Sequence, residues 1–546
     1  MIRIKSGIRK HIHRVKEVKD YSKTIYSNDW RSFKDPEVPE YFNPTVPLLD
    51  DNLSAGYGDK TALIVDEESY SFSDLLYHVC RAANGMTSLN LDSDNRVLFF
   101  GTDSLNYIAT WLGSLRNGIV PAVISDAYKA ENLLYFLCDT ACKVLFIDEE
   151  QIEKFNQISD QIPHTLKIVI VNGNVANVSE TGDRQTLSYS EMVEGHASNS
   201  EPYPIHKNDI TYMFYSGGTT GTAKGITHLA HDFYLVPERH GNFLEYCKED
   251  IVYATSKKYF THGLWPGLLI PLYYGATSVV SRLPPTSENV VKLVETTNPT
   301  KMITVPTIIK NIILYADQTR IPDFSSLQVI TSASEKMPPE VFERFYELFG
   351  LEILDSIGSS EITYEWIANR PKEYRRGSLG KPVFGFEAKL MDPDGAEVKK
   401  PNIDGEAWIK SKTTCFFYWR KLDKTKETFV GEWTRTGDTL MYDDDGFFWF
   451  SGRSDDVFKV KGLWVSPIEV EAAITEDNAV LEAAVVSYED NDGLTKPKAF
   501  VVLNPDEETT DELTQRLKER VRQIGGYKVP QEFIFVKSLP RTTLMK

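Results

Sequence analysis

Short apolar runs alternate with helix-patterned segments through most of this 546-residue chain. Residues 96–100 and 119–124 have the length and composition of buried strands, and residues 107–116 between them have the pattern of a buried helix. Alternation of this kind predicts βαβ units built around parallel sheets. We therefore predict an α/β fold whose large N-terminal domain consists of βαβ-type sheets.

The pattern changes in the last third of the chain, and a chain of this length is expected to form more than one domain. Short strands separated by Asp-Gly turns predict a β-rich subdomain over about residues 388–451. Mixed helix and strand patterns then predict an α+β segment. We expect an N-terminal extension at 1–48, a large domain at 49–453 that contains the β-rich subdomain, and a small C-terminal domain at 454–546.

Charge and cysteine usage exclude several classes of protein. The 78 acidic and 60 basic residues give a formal net charge of -18, which argues against a general nucleic-acid partner. The five cysteines form no CxxC pair, so they indicate reduced thiols instead of a disulfide framework or a zinc site. No uninterrupted apolar run is long enough to cross a bilayer. We expect a soluble, cytoplasmic protein with no membrane partner.

A loop rich in glycine and threonine, residues 215–225, follows the apolar run 210–215. Its glycines let the backbone approach a ligand closely, and its hydroxyls and lysine supply hydrogen-bond donors at several angles. Such a loop suits a polyphosphate. It differs from a Walker loop because Ala223 and Gly225 flank Lys224 where Gly and Ser/Thr would be needed. The alternative is a solvated linker. The apolar run before the loop and the single lysine within it argue against a linker.

Residues 355–361, Asp-Ser-Ile-Gly-Ser-Ser-Glu, follow the apolar stretch 351–354. An acceptor, a glycine turn, two hydroxyls and a terminal carboxylate fit a nucleotide with its Mg²⁺, because magnesium usually takes one or two carboxylates together with phosphate oxygens. A helix N-cap at Ser359 or Ser360, with Glu361 in the first turn, is the structural alternative. The two interpretations are compatible.

A third motif consists of Asp438, at the end of residues 432–438, and Arg453. An aspartate on a tight turn offers two acceptor oxygens to vicinal hydroxyls such as those of ribose, and an arginine can close over the ligand. A turn aspartate and a surface arginine are the alternative. The order of the three motifs along the chain favours the ligand-binding interpretation.

Together these motifs resemble those of the adenylate-forming superfamily, which includes acyl-CoA synthetases, aryl-acid ligases, peptide-synthetase adenylation domains and luciferases. The resemblance extends from about residue 49 to residue 546. It is closest to the benzoate-CoA ligase branch, on residues 355–361, 431–438, 452–456 and 462–471. The superfamily implies a large adenylation domain followed by a small, mobile C-terminal domain.

The resemblance implies an ATP site with Mg²⁺. In it Thr220 and Glu361 would lie at the metal, and Lys546 would touch both the attacking carboxylate and the α-phosphate. The implied catalytic residues are Thr220, Glu361, Lys546 and His262. The implied ATP-binding residues are Ser216, Gly217, Gly218, Thr219, Thr220, Gly221, Lys224, Ser334, Glu335, Lys336, Asp355, Ser356, Ile357, Gly358, Ser359, Ser360, Asp438 and Arg453.

The resemblance also implies an acyl pocket and a site for the acceptor. His262 stands at the position that often gates the carboxylate of the acid. Asp455 stands at the position of the hinge before the small domain. The implied pocket residues are Tyr259, Phe260, His262, Gly263, Ala333, Ser334, Gly358, Ile362 and Tyr364. The implied acceptor-loop residues are Lys459, Lys461, Gly462 and Trp464. Aromatic walls would favour a planar or cyclic acid.

We therefore expect an ATP-dependent acid ligase that forms an acyl-adenylate and transfers the acyl group to CoA. A carrier-protein phosphopantetheine or an amine is the alternative acceptor, and a nucleotide-binding protein without turnover is the alternative of another class. The chain departs from the pattern at Met545, where glycine usually precedes the last lysine. Ala223 replaces a proline, and Ser334 replaces the glycine of benzoate-type ligases, which argues against benzoate itself. A surface lysine is the alternative reading of Lys546.

Overall fold

The computed structural model describes residues 33–179, 182–218, 221–335, 337–453, 458–460, 463–490, 494–505 and 507–540. The chain forms two compact units. One comprises Met1–Glu387 with Lys410–Thr434, and the other comprises Ala388–Ile409 with Arg435–Lys546. The predicted α/β class with a large N-terminal domain of sheets is confirmed. The predicted domain boundary at residue 453 stays a prediction.

The first unit contains two large sheets of mainly parallel strands. Eight strands form one sheet, in the order Tyr418–Trp419, Gly221–Leu229, Ile210–Gly218, Val120–Ile124, Arg96–Phe100, Val144–Asp148, Ile168–Asn172 and Gln185–Ser188. Nine strands form the other, in the order Lys381–Pro382, Glu365–Ala368, Ile353–Gly358, Val329–Ser332, Lys301–Thr304, Ile251–Ala254, Thr277–Val280, Thr61–Val65 and Glu68–Ser71. A small ribbon pairs Tyr41–Phe42 with Ile205–His206.

Helices connect these strands, as the alternating pattern predicts. The α-helices of the first unit are Asp51–Ser54, Phe72–Ser88, Leu105–Arg116, Ala130–Thr140, Ile152–Asn156, Tyr189–Val193, Asp232–Val236, Thr261–Leu264, Ile270–Tyr273, Ser287–Thr297, Pro306–Gln318, Pro339–Phe349 and Leu422–Thr428. Val46–Asp50, Pro237–Gly241 and Trp265–Leu269 are π-helical, and Glu149–Gln151, Ser159–Gln161 and Ser360–Ile362 are 3-10 turns.

The helix Pro339–Phe349 illustrates how local sequence sets an element. Proline stands at its start, where the missing N–H costs nothing, and Gly350 ends it with a φ of 66°. Its apolar face carries Val341, Phe342 and Phe345 into the core between this helix and the nine-stranded sheet. Propensity and packing therefore agree along this helix.

The second unit begins with a β-rich part. The strands Glu387–Met391, Glu397–Val398, Gly405–Lys410, Trp433–Tyr442 and Phe448–Arg453 belong to one sheet. Phe429–Val430, which belongs to the first unit, pairs with residues 433–434 of that unit. A ribbon of Phe458–Val460 and Leu463–Val465 follows. Val480–Glu489, Thr495–Leu503 and Glu532–Phe535 form a further sheet, with helices Pro467–Thr475 and Asp511–Ile524 and the 3-10 turn Gly526–Lys528.

The core of this α+β part is formed by the two helices and the sheet. Val470, Leu517 and Val521 from the helices pack with Val485 and Val501 from the strands. These positions follow helical and strand periodicity, so the predicted α+β segment has its own apolar core. Across the described part of the chain, every helix is too short or too polar to span a membrane.

Candidate active site

The predicted phosphate loop lies at the tip of a hairpin. Strands Ile210–Gly218 and Gly221–Leu229 pair antiparallel, with Ser216 opposite Lys224 and Gly218 opposite Gly221. The Ser216 hydroxyl is buried and finds no hydrogen-bond partner among the described residues. Buried hydroxyls are normally paired, so this one is available to a ligand. Thr219 and Thr220 lie outside the described residues.

Lys224 and Glu361 meet at the hairpin although 137 positions of the sequence separate them. The Lys224 Nζ lies 3.7 Å from the Glu361 Oε1, and both side chains are largely buried. The Tyr418 hydroxyl donates to the same oxygen at 2.8 Å, and Lys224 lies 4.6 Å from the Tyr418 ring centroid. Burial and Glu361 raise the pKa of Tyr418, which therefore stays a neutral donor. The result is an ordered carboxylate beside a cation.

The backbone around Glu361 is held from several sides. Ser360–Ile362 forms a 3-10 turn, and the Ser359 side chain makes no capping hydrogen bond, so the predicted N-cap is absent at that residue. Thr363 adopts a φ of 78°, which is uncommon for a residue other than glycine. The Glu361 carbonyl accepts a hydrogen bond from the Cys415 N–H at 2.7 Å. The carboxylate is thus presented by a constrained turn.

A buried polar network supports this turn, and sequence reasoning missed it. His228 Nε2 lies 2.7 Å from the Ser360 carbonyl oxygen, and its Nδ1 lies 3.0 Å from Asp232 Oδ2. Tyr212 donates to the same aspartate oxygen at 2.9 Å. The imidazole is therefore held at both ring nitrogens, by the Ser360 carbonyl on one side and by Asp232 on the other. The only sequence signal was a histidine and an aspartate four residues apart, a common helical spacing.

The predicted adenine-side residues follow two neighbouring strands. Asp355 is buried in strand Ile353–Gly358, where burial raises its pKa well above the usual range. Ser356 donates to the Ser332 carbonyl at 3.0 Å. Ser334 has a φ of 75°, the conformation that favours glycine. The Glu335 carboxylate accepts from the Thr307 hydroxyl at 2.6 Å. The same strand continues through Ile357 and Gly358, and Ser359 follows its end. Lys336 lies outside the described residues.

Several predicted pocket residues come together around His262. Its ring centroid lies 6.1 Å from that of Tyr364, and its Nδ1 lies 3.3 Å from the Ser256 hydroxyl. Burial lowers the pKa of His262 to about 4, so the imidazole is neutral at physiological pH. A side chain at Gly263 would place Cβ 2.1 Å from the Lys257 carbonyl oxygen, which explains the glycine.

The other predicted pocket residues are placed as follows. Tyr259 donates to Asp126 at 3.0 Å and packs against Phe260, whose ring is 40% exposed. Ala333 and Ile362 are buried. A Cβ at Gly358 would lie 2.5 Å from the Tyr364 carbonyl oxygen, so Gly358 is in close contact with that pocket residue.

In the second unit, Asp438 and Arg453 face each other across paired strands. They are opposite residues of Trp433–Tyr442 and Phe448–Arg453, and Arg453 Nη1 donates to Asp438 Oδ1 at 2.5 Å. Asp438 is buried whereas Arg453 is half exposed. Asp455, Lys461, Gly462 and Lys546 lie outside the described residues. Lys459 pairs with Trp464 in a backbone ribbon.

The hairpin of the phosphate loop places a lysine and a buried hydroxyl, which has no partner among the described residues, beside an ordered carboxylate, an arrangement that suits the phosphates of a nucleotide and their metal ion. The chain belongs to the AMP-binding enzyme family, which residues 51–419 match. Residues 469–546 match the C-terminal domain of AMP-binding enzymes. The predicted resemblance to the adenylate-forming superfamily is therefore confirmed.

Similar proteins support the benzoate-CoA ligase branch. The chain is 35% identical over 522 residues to the benzoate–CoA ligase of Thauera aromatica, covering 93% of this chain and 95% of that protein. It is 32% identical over 506 residues to a 4-hydroxybenzoate–CoA/benzoate–CoA ligase of Rhodopseudomonas palustris, covering 92% of each. The crystal structure of the anthranilate CoA ligase AuaEII with anthranoyl-AMP superimposes with a TM-score of 0.85 at 31% identity, covering 94% of this chain and 97% of that one.

Proposed function

We propose that this protein is an ATP-dependent ligase that forms an acyl-adenylate from an aryl carboxylic acid and transfers the acyl group to the thiol of CoA. The observation that carries the proposal is the contact of Lys224, Glu361 and Tyr418 beside the phosphate loop. The relatives are CoA ligases for benzoate and hydroxybenzoate.

The five cysteines of this chain form no disulfide bond, which supports a cytoplasmic location.

The residues present fit ATP with a magnesium ion. The Ser216 hydroxyl, which has no partner within the described part of the chain, and the Lys224 ammonium can donate to phosphate oxygens. The Glu361 carboxylate is the kind of ligand that magnesium takes together with phosphates. Glu361 and Thr220 would hold Mg²⁺, which would supply neutralisation of the phosphate charge. Asp438 would bind the ribose hydroxyls and Arg453 would close beside it.

We assign the catalytic cation to Lys546, at the end of the small domain. Two anions must meet when a carboxylate attacks the α-phosphate, and a lysine between them offsets the charge that builds on the phosphoryl oxygens. Rotation of the small domain about Asp455 would then remove this lysine and bring residues 459–464 to the acceptor thiol. His262, neutral and buried, suits a gate for the carboxylate better than a general base.

The test is acid-dependent release of pyrophosphate from ATP and Mg²⁺, measured with aryl, cyclic, fatty and amino acids, with and without CoA. An aryl acid should support release, and a thioester should appear only with CoA. If an aryl acid supports adenylation but the addition of CoA yields no thioester, the acceptor is a carrier protein or an amine instead of CoA. ATP binding without turnover on any acid would contradict the ligase assignment.

Replacing Asp438 by alanine should weaken ATP binding about 10- to 150-fold, because hydrogen bonds to a charged group contribute about 1.5–3 kcal/mol. Calorimetric titration with ATP measures the loss. The matched control is Asp443→Ala at the turn that follows the same strand, where the carboxylate accepts hydrogen bonds from the Trp449 indole and the Phe447 N–H. Equal affinities of the Asp438 variant and the unaltered protein would remove this residue from the ribose site.

A further inference from the structure

One face of the helix Ala130–Thr140 supports the hairpin of the phosphate loop. The Tyr135 hydroxyl donates to the Ala223 carbonyl at 2.6 Å, across 88 positions of the sequence. Asp139 lies one helical turn further on, so its side chain is on the same face of the helix. Its Oδ2 accepts a hydrogen bond from the Tyr215 hydroxyl at 2.8 Å. The helix therefore contacts both strands of the hairpin through directed hydrogen bonds.

The same helix also holds the neighbouring strand, which carries Tyr418. The Asp139 carbonyl accepts a hydrogen bond from the Trp419 indole N–H at 2.8 Å. Trp419 lies opposite Gly225 in the sheet. A Cβ at Gly225 would lie 3.0 Å from the Trp419 Cβ and 3.2 Å from the Tyr215 ring, so the glycine lets both aromatic residues approach the hairpin closely. The helix thus fixes the hairpin and this strand together.

The two side-chain hydrogen bonds end next to the donors of the phosphate loop. Ala223 directly precedes Lys224, and Tyr215 directly precedes Ser216, whose hydroxyl has no partner among the described residues. Each bond is therefore one residue away from a group that can donate to a phosphate oxygen. A displacement of about 1 Å at such a group is enough to lower activity strongly, so these contacts matter for the site.

Apolar packing between the helix and the hairpin is supplied by another residue. Phe136 is 1% exposed, and its ring centroid lies 4.8 Å from that of Tyr215 in an edge-on arrangement. Apolar contacts have no preferred direction, whereas hydrogen bonds do. Burial and Asp139 raise the pKa of Tyr215, so this phenol stays protonated and donates to the carboxylate. Phe136 therefore attaches the hairpin to the helix, and the polar residues Tyr135 and Asp139 set its position.

We propose that Tyr135 and Asp139 are positioning residues of the nucleotide site, which hold the phosphate loop in the conformation that accepts the outer phosphates of ATP. The inference rests on the ATP site of the proposed function and adds to it two residues that act through the backbone and side chains of the hairpin. Without these hydrogen bonds the loop adopts the binding conformation for a smaller fraction of the time, and the apparent affinity for ATP falls by that fraction. AMP lacks the outer phosphates, so its affinity depends far less on this loop.

The experiment compares the affinities of the full chain for ATP with Mg²⁺ and for AMP, by calorimetric titration without an acid. Tyr135→Phe removes one neutral hydrogen bond and should weaken ATP binding about 2- to 10-fold. Asp139→Ala removes a charged acceptor and should weaken ATP binding about 10- to 150-fold. In both variants the affinity for AMP should stay within about twofold of that of the unaltered protein.

Tyr274→Phe is the matched control for Tyr135→Phe. Tyr274 is buried, and its hydroxyl donates to the Pro237 carbonyl at 3.2 Å. The same chemical change therefore removes a hydrogen bond from tyrosine to a backbone carbonyl in another part of the first unit. This variant should keep the affinities for ATP and for AMP.

The outcomes separate this inference from the proposed function. Unchanged ATP affinity in Tyr135→Phe, or equal losses of ATP and AMP affinity, would overturn the positioning role, because a purely structural contribution affects both nucleotides alike. If Asp139→Ala fails to fold, Tyr135→Phe decides the question. ATP binding without turnover on any acid would contradict the ligase function and leave this inference in place. Absence of ATP binding by the unaltered protein would overturn both.

Discussion

Replacing Glu361 by glutamine is expected to lower kcat/KM for ATP by about 10²- to 10³-fold while the fold is retained. The carboxylate is ordered by the Tyr418 hydroxyl and lies 3.7 Å from Lys224 Nζ. Glutamine keeps the size of the side chain and an oxygen for Tyr418, but it loses the negative charge that attracts magnesium. The measurement is steady-state pyrophosphate release as a function of ATP and Mg²⁺.

Tyr418→Phe is the matched control for Glu361→Gln. It removes only the hydroxyl that donates to the carboxylate, and the loss of such a supporting group typically costs about 10- to 100-fold in metal affinity or activity. A higher requirement for Mg²⁺ in both variants would support the assignment. Unchanged kcat/KM and Mg²⁺ dependence in Glu361→Gln would show that this carboxylate lies outside the nucleotide site.

Replacing Asp232 by alanine is expected to destabilise the first unit by about 1–3 kcal/mol for each buried donor that loses its acceptor. Asp232 is 1% exposed and accepts from Tyr212 and His228. Alanine leaves both donors buried without an acceptor. Denaturant unfolding followed by tryptophan fluorescence measures the loss, since Trp111 and Trp265 contact the Tyr212 ring.

Asp232→Asn controls for the size of the side chain and should destabilise the unit less, because an amide oxygen can still accept from Tyr212. The network also holds the Ser360 carbonyl through His228. Both variants should therefore raise the KM for ATP and Mg²⁺, an effect that a purely structural role elsewhere would not produce. Unaltered stability of Asp232→Ala would contradict a stabilising role for this buried hydrogen-bond network.

Local patterns were sufficient to predict the elements around the site. Residues 96–100, predicted as a strand, form Arg96–Phe100, and the buried helix predicted at 107–116 forms Leu105–Arg116. Both depend on periodicity and on residues close in sequence, which the chain carries directly. The helix Pro467–Thr475 lies in the segment predicted to mix helices and strands.

Residues 215–225 were predicted to form a loop after an apolar run, but most of them belong to the strands of a hairpin. The apolar run ends at residue 215, whereas the strand Ile210–Gly218 extends beyond it and pairs with Gly221–Leu229. Glycine lowers the expectation of a strand, yet the second strand of the hairpin also pairs with Tyr418–Trp419, and this pairing outweighs the local preference. A neighbouring strand supplied by a distant part of the chain is invisible to local patterns.

The sequence by itself determined the α/β class, the order of the ligand-binding motifs and the membership of the family, because these depend on periodicity and on side chains grouped within a few residues. The tertiary structure alone decided which distant groups support them. Tyr418 reaches Glu361 from 57 residues away, and His228 reaches the Ser360 carbonyl from 132 residues away. Such contacts follow from strand pairing and burial, and many different sequences would satisfy the same local patterns without making them.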